Sequence, residues 1–279
     1  MISLKKMQNR FEYISIDNDS ASAKIALQGA HIFEFKPHNK RAILWMSQAS
    51  DYENSKAIRG GIPICWPWFG QHATDESFPQ HGFARTSMFS HVESKEVDTH
   101  TTQVTLKLQH YPQSLAMFPY RFELLVKITV STILSIELTT TNLCDKSFEI
   151  TQALHSYFNI SHISNVAVHG LDKKRYYDAL TGEHQEQVGD ITFSEELDRV
   201  YQEVDSVISL VDKAKVINIE NEGSASVVVW NPWCEKCSKM SAMENDSYET
   251  FVCIESANAL DDFILLKPNE SHTLKATIA

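Results

Sequence analysis

Period-two alternation dominates the hydrophobic pattern of this chain. Val104, Leu106 and Leu108 are separated by Thr105 and Lys107, and Phe122, Leu124, Val126, Ile128 and Val130 continue the same spacing. Ile136 and Leu138 flank Glu137, and the apolar, β-branched segments Val216–Glu220, Val227–Trp230 and Phe251–Ile254 follow. Alternation of this kind reads as half-buried strands, and many short strands joined by turns read as a β-sandwich or barrel. No long segment carries the i, i+3, i+4, i+7 stripe of an amphipathic helix. The pattern leaves room only for short helical turns, for example around Ser194–Arg199. No linker, repeat or low-complexity tract interrupts the chain, so residues 1–279 are expected to form a single all-β domain.

One stretch breaks the rhythm. Between Arg59 and Arg85 lie four of the nine glycines and three of the eight prolines, together with Trp66, Trp68, Phe69, Phe78 and Phe83. Gly and Pro impose a constrained, mostly non-repetitive backbone, and the aromatic residues give it something to pack with. A rigid aromatic loop carrying Arg59, His72, Gln80, His81 and Arg85 suits a binding site on a β scaffold, or simply a long connection packed over the sheets.

Charge narrows the choice of partner. The formal net charge is −11, which disfavours nucleic-acid binding, since that depends on a basic surface. An anionic substrate would have to be met by local positive charge. The five cysteines show no framework spacing, and Met1–Lys6 leads into no apolar signal region. No apolar run reaches the roughly 18 residues of a membrane span. The expectation is a cytoplasmic protein with reduced thiols and no membrane association.

Several polar residues are candidates for chemistry, and each has an ordinary alternative. Arg59 and Arg85 offer planar forks that match phosphate oxygens, although most arginines are simply exposed. His155, in Gln152–Ile160, follows a strand-like segment; it is either an acid–base group near neutral pH or a satisfied core histidine. Glu255 closes the apolar run Phe251–Ile254, where a carboxylate is costly unless it is paired or lies at a wet strand end. Asp198 either accepts hydrogen bonds from sugar hydroxyls or makes a local contact to Arg199 or a helix cap. Cys234 and Cys237 form a lone CxxC, too little for a zinc site. No Gly-rich phosphate loop and no HExxH occurs, and nothing in the sequence calls for a nucleotide or metal cofactor.

Taken in order, these segments resemble one family. Arg59-Gly-Gly-Ile-Pro-Ile-Cys-Trp-Pro-Trp-Phe-Gly70 is similar to the signature of the hexose-6-phosphate mutarotases, or glucose-6-phosphate 1-epimerases, of the galactose-mutarotase-like superfamily. Pro79–Arg85 resembles the family's second motif, and Ala153–Asn159 the segment that carries its catalytic histidine. Asp198–Tyr201, Trp230–Trp233 and Val252–Ser256 resemble the later motifs, the last carrying the catalytic glutamate. The resemblance implies a large twisted β-sandwich with the sugar in an open cleft. It implies His155 and Glu255 as the catalytic pair, and Arg59, Gln80, Arg85 and Asp198 as substrate contacts, with the arginines on the phosphate. His81 resembles a histidine of the superfamily's sugar site. The chain departs from the family's usual pattern at Cys234 and Cys237, outside the catalytic motifs.

Such an enzyme would need no cofactor and no obligate protein partner, only its sugar phosphate. Opening a hemiacetal takes one proton from the O1 hydroxyl and delivers one to the ring oxygen O5, so one base and one acid suffice. Three other readings stand beside this one. They are an aldose 1-epimerase for the free sugar, a non-catalytic sugar-phosphate sensor, and a glycoside hydrolase using Asp198 and Glu255 as its carboxylate pair.

Overall fold

The computed structural model describes residues 1–279, and its alternating segments fold as strands in a large twisted β-sandwich. One eight-stranded antiparallel sheet runs in the order Val166–His169, Ile208–Asp212, Lys215–Glu222, Ser271–Ile278, Leu134–Asn142, Phe122–Val130, Thr101–Gln109 and Ser90–Asp98. Its inner face is the set named by the alternation: Leu124, Val126, Ile128, Leu134, Ile136 and Leu138 are all fully buried. The intervening Glu123, Lys127 and Glu137 form surface ion pairs with each other and with Lys107. A four-stranded meander, Ile2–Lys6 to Ile32–Pro37, adds Ile14, Ile16, Ile25 and Phe35 to the same core.

The second eight-stranded sheet positions the candidate site. Glu183–Glu186, Arg175–Asp178, Leu197–Tyr201, Ser226–Asn231, Phe251–Asn258, Gln152–Leu154 and Ile64–Cys65 pair in that order. Tyr157–Asn159 also pairs with Phe251–Asn258. Its two central strands, Ser226–Asn231 and Phe251–Asn258, are buried at every position, so no polar alternation marks them. Val227, Val229, Val252 and Ile254 face the main core of 57 residues. The opposite set, Val228, Trp230, Phe251, Cys253 and Ala257, joins a separate cluster of 13 with Trp45, Tyr157 and Met243. Glu255 has the parity of this second face.

Two points that the sequence left open are decided here. The segment open to a helical turn, Ser194–Arg199, instead enters the strand Leu197–Tyr201, paired on both sides. Tertiary pairing overrides the helical preference of its charged residues. Glu255 does not end its strand; the strand runs on to Asn258, which buries the carboxylate in mid-sheet. Helix is confined to the short segments Pro112–Met117 and Trp233–Cys237 and a few 3₁₀ turns. No helix is long and apolar enough to cross a membrane.

Candidate active site

His155 and Glu255 are joined by strand register. Gln152–Leu154 and Tyr157–Asn159 both pair with Phe251–Asn258, Leu154 opposite Ser256 and Tyr157 opposite Cys253. Between them the chain arches away, and the same register puts His155 opposite Glu255. The arch is held by hydrogen bonds donated by His155 N–H to the Pro63 carbonyl (3.0 Å) and by Ile254 N–H to the Ser156 carbonyl (3.2 Å). Cross-strand neighbours lie close enough for side chains to meet, and His155 Nδ1 is 3.2 Å from Glu255 Oε1. The contact is not aligned as a hydrogen bond: His155 Nδ1 and Glu255 Oε2 are both buried without a hydrogen-bond partner. Such groups are costly in a core, and buried unsatisfied atoms concentrate where a protein uses them.

The imidazole is fixed by aromatic walls. It stacks on Tyr157 (ring centroids 4.8 Å apart, 7° between planes) and meets Trp230 edge-on at 5.7 Å. His81 stands 5.9 Å away on the aromatic loop. With φ at +63°, His81 occupies the left-handed region, which is strained for a residue with a side chain. Its N–H donates to the Gly70 carbonyl (2.7 Å) and its Nδ1 accepts from Gly70 N–H (3.1 Å). An accepting Nδ1 leaves the ring proton on Nε2, so His81 is a fixed neutral donor. Burial, with Arg85 and Arg59 in support, lowers its pKa to about 3.

Arg59 and Arg85 are both half-buried, and the charges of both bear on His155 and His81. Arg85 Nη2 donates to the Gln80 carbonyl (2.7 Å), so Gln80 orients the guanidinium through its backbone while its own side chain is exposed. Arg59 sits beside the Tyr157 phenol, which ties it to the stacked His155.

Burial works against charge on both members of the central pair. It pushes His155 well below the usual imidazole range, with His81, Arg85 and Arg59 acting in the same sense. It pushes Glu255 well above the usual carboxylate range; Asp198 adds to the shift and Arg85 opposes it. Burial therefore favours the neutral form of each member of the pair.

Asp198 is on the strand two places from Glu255, opposite Trp230, which is itself opposite Cys253. That row places Asp198 on the site face. Burial raises its pKa, and Lys236, whose Nζ is 3.9 Å from Oδ2, opposes the rise. The alternative of a local pair with Arg199 is not what forms: Arg199 Nε lies 3.5 Å from Asp178 instead. Cys234 is exposed, whereas Cys237 is buried and its thiol donates to the Glu244 carbonyl (3.3 Å). His72 packs edge-on to Trp68 and Phe78, and its Nδ1 accepts from the backbone of Thr74 and Asp75, which makes it a loop support.

The structure thus gathers His155, Glu255, Arg59, His81, Arg85 and Asp198 around one face of the second sheet, with Gln80 at its rim. Sequence reasoning passed over Tyr157 and Trp230 as parts of this site. The available signal was parity: Tyr157 shares the face of His155, and Trp230 lies in the row of Asp198.

The sequence model of the aldose 1-epimerase family matches residues 12–279. A protein of Escherichia coli (strain K12) named "Putative glucose-6-phosphate 1-epimerase" is 33% identical over 276 residues, covering 98% of this chain and 91% of that protein. A protein of the same name from Cenchrus ciliaris is 34% identical over 261 residues, covering 89% and 78%. The crystal structure of a "putative mutarotase" from Salmonella typhimurium superposes with a TM-score of 0.92 at 32% identity, covering 100% of this chain and 92% of that one. A galactose mutarotase-like protein from Clostridium acetobutylicum shares the fold, with a TM-score of 0.78 at 17% identity over 100% and 98% of the two chains.

Proposed function

The chain belongs to the aldose 1-epimerase family, and from that membership we propose that it interconverts the α and β anomers of a hexose 6-phosphate, glucose 6-phosphate foremost. The observation that carries the proposal is the buried His155–Glu255 contact of 3.2 Å with two arginines bearing on it. An acid and a base in van der Waals contact, sharing one proton, are what hemiacetal opening requires.

Glu255 as carboxylate takes the proton of the O1 hydroxyl, and His155 as imidazolium gives one to O5. The C1–O5 bond breaks as the C1–O1 bond becomes a carbonyl. Afterwards Glu255 is protonated and His155 neutral, which is the form that burial favours. The open-chain aldehyde thus faces a pair poised to close the ring. Rotation about C1–C2 presents the other carbonyl face; Glu255 returns its proton to O1, His155 takes that of the O5 hydroxyl, and the opposite anomer forms. Meeting the closed sugar requires the ion-pair form, one proton transfer across the 3.2 Å contact. A sugar hydroxyl bonded to Glu255 Oε2, otherwise unpartnered, lowers the cost of that charge. His81, fixed as a neutral donor, supports oxygen atoms on which negative charge develops.

Arg59 and Arg85 read the phosphate, and their binding energy orients C1. Asp198 and Gln80 contact sugar hydroxyls. The close partner of Glu255 is an imidazole, while Asp198 is two strands away. This favours proton shuttling over the paired carboxylates of a glycoside hydrolase.

Two-dimensional exchange NMR on equilibrated glucose 6-phosphate, with glucose in parallel, tests the proposal. Enzyme-dependent cross-peaks between anomers of the phosphate, and weak or none for glucose, are the expected result. Equal acceleration of both sugars would replace it with an aldose 1-epimerase for free sugars. Binding without acceleration of either would replace it with a sensor.

A further inference from the structure

The turn between strands Ala21–Ala26 and Ile32–Pro37 buries two polar side chains, Gln28 and His31, at 1% and 0% exposure. Each grips the chain beside Arg59. Gln28 Nε2 donates to the Lys56 carbonyl (2.7 Å), and its Oε1 accepts from Ser55 N–H (2.6 Å). His31 Nε2 lies 2.8 Å from the Gly60 carbonyl, which can only accept, so Nε2 carries the proton. The same turn meets the chain around Arg85. Gly29 N–H donates to the Ser87 carbonyl (2.7 Å), and a Cβ added at Gly29 would fall 2.7 Å from the Arg85 carbonyl oxygen. One five-residue turn therefore holds the backbone on both sides of Arg59 and against Arg85.

We infer that His31 is a positioning residue, the member of this brace that sets Arg59 and Arg85 at the separation a phosphoryl group requires; the inference rests on the proposed reading of those arginines. Three observations support it. Nδ1 of His31 is buried with no partner, an expense that a purely space-filling residue would not carry. Burial keeps the His31 imidazole neutral, its pKa lowered to about 3 against the pull of the Gly60 hydrogen bond, and the Arg85 charge reaches the ring and adds in the same sense as burial. The donor to Gly60 is thus unchanged across the pH range of the reaction. Finally, Gly61, with φ at +64°, lies so close that an added Cβ would be 2.7 Å from His31 Nε2, so the turn after Arg59 is shaped against this ring. A guanidinium displaced by about an ångström loses binding geometry on the order of 10- to 100-fold.

The test is exchange kinetics on glucose 6-phosphate and on glucose for wild type, Arg85→Ala, His31→Ala, His31→Gln, Gln28→Ala and the double variant His31→Ala/Arg85→Ala. His31→Ala is expected to raise KM for glucose 6-phosphate about tenfold, with kcat held within about threefold and glucose unaffected. Gln places an amide N–H near the position of Nε2, so His31→Gln should recover most of the loss. In the Arg85→Ala background His31→Ala should add little, because both act through one contact. Wild-type KM in His31→Ala, or an equal loss on both sugars that Gln does not repair, overturns the inference. If His31→Ala does not fold, Gln28→Ala decides: a selective rise in KM for the phosphate supports the brace and an unchanged KM overturns it. Failure of the phosphate reading itself shows earlier, as a wild type without preference or an Arg85→Ala that keeps it, and takes this inference with it.

Discussion

Glu255→Gln should make the protein inactive and more stable at once. The substitution keeps the side chain's shape and removes its ability to exchange a proton. Loss of one positioned acid–base group costs about 10²–10⁴ in rate. The gain in stability follows from burial. Glu255 is 1% exposed, Oε2 has no partner, and the desolvated carboxyl must take up a proton that an unfolded glutamate does not hold at neutral pH. A glutamine amide in the same place stays buried and polar, so what the substitution relieves is the cost of that proton uptake, about 1.4 kcal/mol for each pH unit above the ordinary glutamate pKa, or roughly 1–3 kcal/mol near neutral pH. At about 2 cal/mol/K per residue, a chain of 279 residues unfolds with an entropy near 0.6 kcal/mol/K, so relief of that cost raises Tm by about 2–5 °C. Because the folded pKa is raised, the penalty is absent below the ordinary glutamate pKa and grows as pH rises toward the folded value. The gain in Tm should therefore be larger at pH 7.5 than at pH 5. Exchange NMR measures the rate, and calorimetry at the two pH values measures the stability. A rate within about threefold of wild type would refute the catalytic role. A lower Tm at both pH values would refute the claim that the carboxyl is held at a cost.

Arg85→Ala should reduce exchange of glucose 6-phosphate by about 10- to 100-fold and that of glucose far less; parallel loss on both would show that the arginine does not read phosphate. Acid should destabilise the fold through His31 and His81, whose folded pKa values are both about 3. The unfolded chain binds these protons from about pH 6.5 downward and the folded chain does not, so stability falls from there toward pH 3, by about 2 kcal/mol per histidine between pH 7 and 5. Urea titrations should show this slope flattened in His31→Gln, and an unchanged slope would contradict the assignment. Gly82→Ala should cost about 3 kcal/mol or more, since φ is +72° and the added Cβ would sit 2.0 Å from the Trp66 carbonyl oxygen; thermal melting checks it, and a change under about 0.5 kcal/mol would show the loop to be yielding. EDTA should leave the exchange rate unchanged, because hemiacetal opening and closure need only proton transfers; a loss restored by added divalent metal would reveal a site outside this account.

The sequence by itself determined the all-β class and most of one sheet. Wherever a strand has one face in the core and one in water, as from Phe122 to Val130, the alternation states both the strand and its orientation. It also marked the aromatic loop, since Gly and Pro fix backbone geometry locally and do so in any context. The central strands of the other sheet could not be oriented in this way. Ser226–Asn231 and Phe251–Asn258 are buried on both faces, so nothing in their composition tells which side carries Glu255. The helical turn left open at Ser194–Arg199 does not form for a related reason: local preference is worth tenths of a kcal/mol per residue, and pairing with two neighbours outweighs it. Only the tertiary structure decided the meeting of His155 with Glu255, because 100 residues of chain separate them and register alone closes the gap. It alone decided that burial favours the neutral form of each member of the pair, since ionisation depends on burial and on charges brought in from other strands and loops. His31 shows the limit most clearly. Its place behind both arginines follows from hydrogen bonds to Gly60 and from the packing of Gly29 on Arg85, contacts between segments about 30 to 55 residues apart that no local pattern encodes.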